Sequence, residues 1–113
     1  MAKKNKLLVS PPYPVEQTLK QLGHNLRIAR LCRNWTIAEV AEKIGTGPRA
    51  VLDAEKGKPS TGFVVYMALL WALDLLDNME SVADPAKDTI GQRLSLSHER
   101  SRSRHSGGLD NDF

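Results

Sequence analysis

Four side chains in the middle of the sequence have the types and spacing to read a nucleic-acid duplex. If Pro48 to about Lys56 is helical, Arg49, Leu52, Asp53 and Lys56 share one face, and Val51 and Ala54 share the opposite one. A guanidinium can donate two parallel bonds to a guanine edge. A carboxylate can accept from a cytosine amino group, and a leucine can touch a thymine methyl. Arg49, Leu52 and Asp53 are therefore the candidate base readers. Lys56 and Lys58 fall where they would meet phosphates, contacts that position a duplex without specifying its sequence.

Other chemistry is poorly served. His24, His98 and His105 have no paired carboxylates nearby, and the chain has no nucleophile motif and no phosphate-cradling glycine loop. No catalytic residue is assigned, no enzyme is expected, and no cofactor is implied. Cys32 is the single cysteine, so neither a disulfide framework nor a thiolate metal site is available, and we expect it as a small buried helix residue.

The elements that must position the reading face can be traced outward from it. Thr36 with Glu39 three residues on is a capping box, and Trp35 can staple onto Val40, so a helix starts at Ile37 and runs to Ile44. Gly45 suits a left-handed helix end, and Gly47-Pro48 supplies an N-cap and a first-turn proline for the next helix. Ala41 is small where the two helices would cross. If the start of the Ile37 helix meets a phosphate, Thr36 and Ile37 are the residues that present its backbone amides. The plan is a helix-turn-helix, in which the second helix enters the major groove.

Before this pair, Leu19, Leu22, Leu26 and Ala29 make one apolar stripe from Glu16 onward, with Arg27, Arg30 and Arg33 along the same helix. After it, Gly57 to Ser60 reads as a loop. The run from Phe63 to Leu73 is apolar nearly all round and needs cover on more than one side. It is too short to cross a bilayer, so a second copy of the chain is the expected cover, through Phe63, Tyr66, Met67, Leu70, Trp71 and Leu75. A fifth helix is expected from Leu75 to Val82. The fold expectation is thus all-α, a five-helix domain over residues 16–84 built around the helix-turn-helix.

Pro11, Pro12 and Pro14 argue for an extended lead over residues 1–15, with Leu7 to Val9 as a short strand. Residues 85–113 read as a flexible, disordered tail, rich in Ser and Arg and too polar to bury a core. Its end, Gly107-Gly108-Leu109-Asp110-Asn111-Asp112-Phe113, has the pattern of a docking arm with Leu109 and Phe113 as anchors for a partner.

Net charge is +3 among 113 residues, with pI near 9.2. Its distribution says more than its size. Glu16 to Ser60 holds eight Lys/Arg against five Asp/Glu, whereas Thr61 to Asp84 holds no base and four acids. Such a body meets a polyanion with one end forward. The apolar run at Leu7-Leu8-Val9 is too short for a signal peptide or a membrane span, and the expectation is a cytoplasmic protein with no membrane contact.

Leu22-Gly23, Leu26-Arg27, Arg30, Arg33-Asn34, Thr36, Val40 to Gly45, Val51 and Glu55 to Lys58 resemble the Xre family of phage-repressor-type regulators over residues 20–75. The resemblance implies dimeric binding to a palindromic double-stranded DNA operator, and an ion pair between Arg30 and Glu55. Two features depart from the family pattern. Ile37 stands where a phosphate-donating glutamine is frequent, and Pro48 stands where a polar residue is common. Leu8 to Tyr13, Ala54 to Thr61, Ala83 to Pro85 and Gly108 to Phe113 are similar to HipB-like antitoxins, which are encoded beside HipA-like kinase toxins. That narrower resemblance implies a kinase-toxin partner and repression of a shared operon. A stand-alone repressor of the same type, and a helix-turn-helix used only for protein docking, remain open at the level of sequence.

Overall fold

The computed structural model describes residues 5–106, with side chains through 103. All regular structure among them is helical. In chain order the elements are α1 (Lys6–Val9), α2 (Tyr13–Cys32), α3 (Ile37–Ile44), α4 (Pro48–Glu55), α5 (Phe63–Ala72), a 3-10 helix (Leu76–Ser81) and α6 (Thr89–Ser106). The chain divides into two compact units, Met1–Leu76 and Asp77–Phe113.

In the first unit α4 is the central element. It packs against α2, α3 and α5, and α3 also packs on α5. Val40 and Ala41 of α3, Val51 and Ala54 of α4, Leu26 of α2, and Tyr66, Leu69, Leu70 and Leu73 around α5 form the core. Two glycines allow the closest approach. A Cβ on Gly23 would lie 2.6 Å from the Ala54 carbonyl oxygen, and one on Gly57 would lie 2.5 Å from that of Leu19. Gly57 also has φ +69°, so the turn after α4 requires glycine twice over.

Local chemistry explains the helix ends. The Thr36 hydroxyl accepts from the Glu39 amide at 3.1 Å, and the Glu39 carboxylate accepts from the Thr36 amide at 3.2 Å, closing the capping box of α3. Gly45 ends α3 in the left-handed region, with φ 79°. Gly47 caps α4 in an extended conformation, with Pro48 in the first turn. Asn34 and Asp74 adopt positive φ at the ends of α2 and α5, conformations in which a short polar side chain is better tolerated than a branched one.

Several expectations are corrected. Leu7 to Val9 form a helical turn, not a strand, because the Asn5 side chain accepts from the Leu7 amide and starts a turn before the prolines. The long helix begins at Tyr13 rather than Glu16, since Pro14 lies in its first turn, where a missing N–H costs nothing. The element after α5 is a 3-10 helix over Leu76–Ser81, not an α-helix from Leu75 to Val82. Cys32 is exposed, because it lies on the side of α2 away from Leu26 and Arg30.

In the second unit residues 89–106 are helical, not disordered. The Asp88 carboxylate accepts from the Gly91 amide at 2.8 Å and starts α6. The Gln92 side chain donates to the carbonyls of Pro85 and Ala86 and ties the preceding loop to its first turn. Arg, Leu, Gln and Glu are all good helix formers. The described side chains of α6 are exposed, yet their polarity did not preclude a local helix.

Candidate nucleic-acid interface

The buried scaffold of the site is an arginine. Arg30 on α2 is 7% exposed, and its Nε and Nη2 donate to the two carboxylate oxygens of Glu55 at 2.6 and 3.0 Å. Nη1 donates to the Trp35 carbonyl at 2.8 Å. One side chain thus joins the end of α4 to the turn that precedes α3. The bond to Glu55 holds the guanidinium pKa above its already high ordinary value, against the opposing effect of burial. Lys43 lies 4.7 Å over the Trp35 ring, and Arg33 donates to the Leu73 carbonyl at 2.8 Å, so the same turn is braced from α3 and from the end of α5.

On that scaffold α4 turns Val51 and Ala54, both 0% exposed, into the core. Its other face carries Arg49 and Lys56, both exposed, and half-buried Leu52 and Asp53. Asp53 Oδ1 lies 3.3 Å from Arg49 Nε and 3.2 Å from Lys58 Nζ. That oxygen is shielded from solvent and meets both cations at ion-pair rather than hydrogen-bond geometry. The Arg49 side chain is nevertheless 74% exposed. Asp53 therefore faces two cations, and its carboxylate holds Arg49 and Lys58 together.

Lys58 is anchored from behind. The Tyr66 hydroxyl donates to the Lys58 carbonyl at 2.9 Å, fixing the loop between α4 and α5. Burial pushes the Tyr66 hydroxyl pKa up. At the start of α3, Asn34, Trp35, Thr36, Ile37 and Ala38, with Pro48 of α4, border an open hollow of about 660 Å³. The capping box occupies the Thr36 hydroxyl and the Glu39 amide. By helix geometry the Ile37 and Ala38 amides remain as donors at that end.

On α5 the residues expected at a dimer interface separate into two groups. Tyr66 (2% exposed) and Leu70 (7%) lie in the core of their own protomer and are corrected from interface to core. A helix that is apolar all round does not reveal by periodicity which side faces in. Phe63 and Trp71 are exposed, and Met67 and Leu75 half-buried; these four recur at four-residue steps. Leu109 and Phe113 lie outside the described residues.

Sequence reasoning missed the Gly23 contact, the Arg33 and Tyr66 hydrogen bonds to backbone carbonyls, and the clamp on Asp53. Only the last had a readable signal, in the i, i+4 spacing of Arg49 and Asp53. Among the described residues no group of His, Cys, Asp and Glu could hold a metal ion, and no helix is long and apolar enough to cross a membrane. No protein-family model, curated protein or solved structure matches the chain.

Proposed function

We propose that the chain is a sequence-specific DNA-binding repressor that uses α3 and α4 as a helix-turn-helix and works as a homodimer. The observation that carries this reading is the division of α4. One face is wholly buried, while the other presents Arg49 to solvent beside Lys58, both aligned on Asp53. An exposed guanidinium on a rigidly seated helix is what bidentate recognition of guanine requires. The hollow at the start of α3 gives a phosphate a place to meet the Ile37 and Ala38 amides.

Titration against a preferred duplex tests the reading. Arg49→Ala should cost about 1–3 kcal/mol and relax the sequence preference, whereas Lys58→Ala should weaken all sequences alike and flatten the salt dependence. Unchanged preference in Arg49→Ala refutes the role given to α4.

The homodimer is proposed through Phe63, Met67, Trp71 and Leu75. A two-fold axis through the Phe63, Met67 and Trp71 face of α5, with Leu75 just beyond the helix end, would bury the same patch on both protomers and set two recognition helices about 34 Å apart. Sedimentation should show a dimer at micromolar concentration without DNA; a monomer contradicts the interface.

A narrower proposal rests on the sequence resemblance alone: the chain is the antitoxin of a HipA-like kinase toxin, and Leu109 and Phe113 anchor in that partner. Deleting residues 109–113 should leave DNA binding intact and weaken co-purification with the kinase encoded beside it. If co-purification is unchanged, the anchors are wrongly placed.

A further inference from the structure

No described side chain of α6 takes part in a core. Among its described side chains all are exposed, and only Gly91, which has none, is half-buried. Such a helix is free to be a surface for something else, and its charge pattern indicates what. Thr89 to Ser106 contains four arginines and one acid, Glu99.

Arg93, Ser97, Arg100 and Ser101 follow one another at four-, three- and one-residue steps and share one side of the helix, while Glu99 falls away from them. Arg93, Leu96, Ser97, Arg100 and Ser101 border a hollow of about 520 Å³. The four ion pairs found among the described residues involve neither Arg93 nor Arg100. At about 1.5 Å of rise per residue the two guanidinium-bearing positions stand roughly 10 Å apart along the axis. That exceeds the Debye length of about 8 Å at physiological salt, so they repel each other little while facing the same way.

The geometry points to a second nucleic-acid surface: the Arg93, Ser97, Arg100, Ser101 face of α6 binds the phosphate backbone of duplex DNA without reading its sequence. The polar groups on this face suit phosphate. Guanidinium and hydroxyl groups donate hydrogen bonds, and no carboxylate on the face competes for them. They carry no base-discriminating pattern, so the contribution is to affinity and its salt dependence, not to preference.

A lipid surface fits less well. An interfacial helix needs an apolar face along its length. The apolar residues of α6, Ile90, Leu94 and Leu96, all lie in its first half, and residues 97–106 contain none. The half that holds Arg100 has nothing to insert.

The inference does not depend on α4 reading bases, and its test separates the two. The full chain is titrated against a duplex of random sequence over a range of salt, comparing the parent with Arg93→Gln/Arg100→Gln. Each phosphate that is no longer neutralised takes about 0.9 from the slope of log affinity against log salt, so the double variant should lose about 1.8 per chain. Preference among sequences should not change, and circular dichroism should show the same helix content, since Gln is close to Arg in helix propensity.

Arg93→Lys/Arg100→Lys should keep most of the slope. If the lysine variant loses as much as the glutamine variant, charge is not the cause and the inference is overturned. An unchanged slope in the glutamine variant overturns it directly. So does parent binding to phosphatidylserine vesicles, abolished in that variant, with the DNA slope unaffected. If the glutamine variant loses slope while Arg49→Ala leaves preference intact, α6 stands and the α4 reading falls. With the opposite pair of results, α4 stands and the α6 surface falls.

Discussion

Replacing Glu55 by Gln removes one charge from the most buried ion pair among the described residues while preserving the shape of the side chain. The side chains of Arg30 and Glu55 are 9% and 5% exposed. Deleting one partner of a pair at that depth costs about 3–5 kcal/mol, chiefly because the other charge is left buried without compensation. Arg30 keeps its bond to the Trp35 carbonyl, and a glutamine oxygen still accepts one of the two bonds formerly made by the carboxylate. The cost should therefore lie at the lower end, about 3 kcal/mol. For a domain of this size each kcal/mol lowers the melting temperature by roughly 4–8 °C, so a fall of about 12–24 °C is expected. Thermal melts of the full chain, followed by far-ultraviolet circular dichroism, measure it. Arg30→Met/Glu55→Leu removes both charges together and should recover much of the loss, because an apolar pair leaves no ion stranded. A single-variant shift of about 2–3 °C would refute the reasoning, since it would mean that the pair behaves like a surface one worth less than about 1 kcal/mol.

Three more perturbations probe separate parts of the account. Tyr66→Phe leaves the Lys58 carbonyl without its donor and should cost about 1 kcal/mol in denaturant melts. Because burial raises the Tyr66 pKa, the folded state favours the neutral phenol. The resulting stability is present below the ordinary value near 10 and is lost as pH rises through the higher folded value; the phenylalanine variant should show a shallower alkaline decline. Gly23→Ala would press a methyl against the Ala54 carbonyl and force α2 from α4, at about 1–3 kcal/mol in the same melts. Asp53→Asn should release Arg49 and Lys58 from their shared carboxylate; competition titrations should show tighter binding to random duplex and a smaller advantage for the preferred site.

How far the fold could be read from the sequence depended on how local each cause was. The α3–turn–α4 unit was legible almost to the residue, because Thr36, Glu39, Gly45, Gly47 and Pro48 act on their own neighbours within a turn of helix. Val51 and Ala54 declared the inner face of α4 because the charged Arg49 and Asp53 mark the face opposite them. On α5 the same reasoning had no contrast to work with, so Tyr66 and Leu70 could not be told from Phe63 and Trp71. Three prolines between residues 11 and 14 point to a break through the whole segment, although a proline in the first turn of a helix, as Pro14 is, leaves that helix intact. Composition beyond Pro85 spoke to burial and was silent about the Asp88 cap that begins α6. The approach of Gly23 to Ala54 and the clamp from Arg33 to Leu73 join distant parts of the chain, and no spacing rule reports them.

Selection from a pool of random duplexes would show whether α4 reads DNA in a two-fold arrangement. The parent chain should enrich an inverted repeat whose half-sites are centred about 10–10.5 base pairs, one helical turn, apart, and the same selection with Arg49→Ala should lose or relax that repeat. Enrichment of no sequence by the parent chain, or of the same repeat by both proteins, would contradict the account.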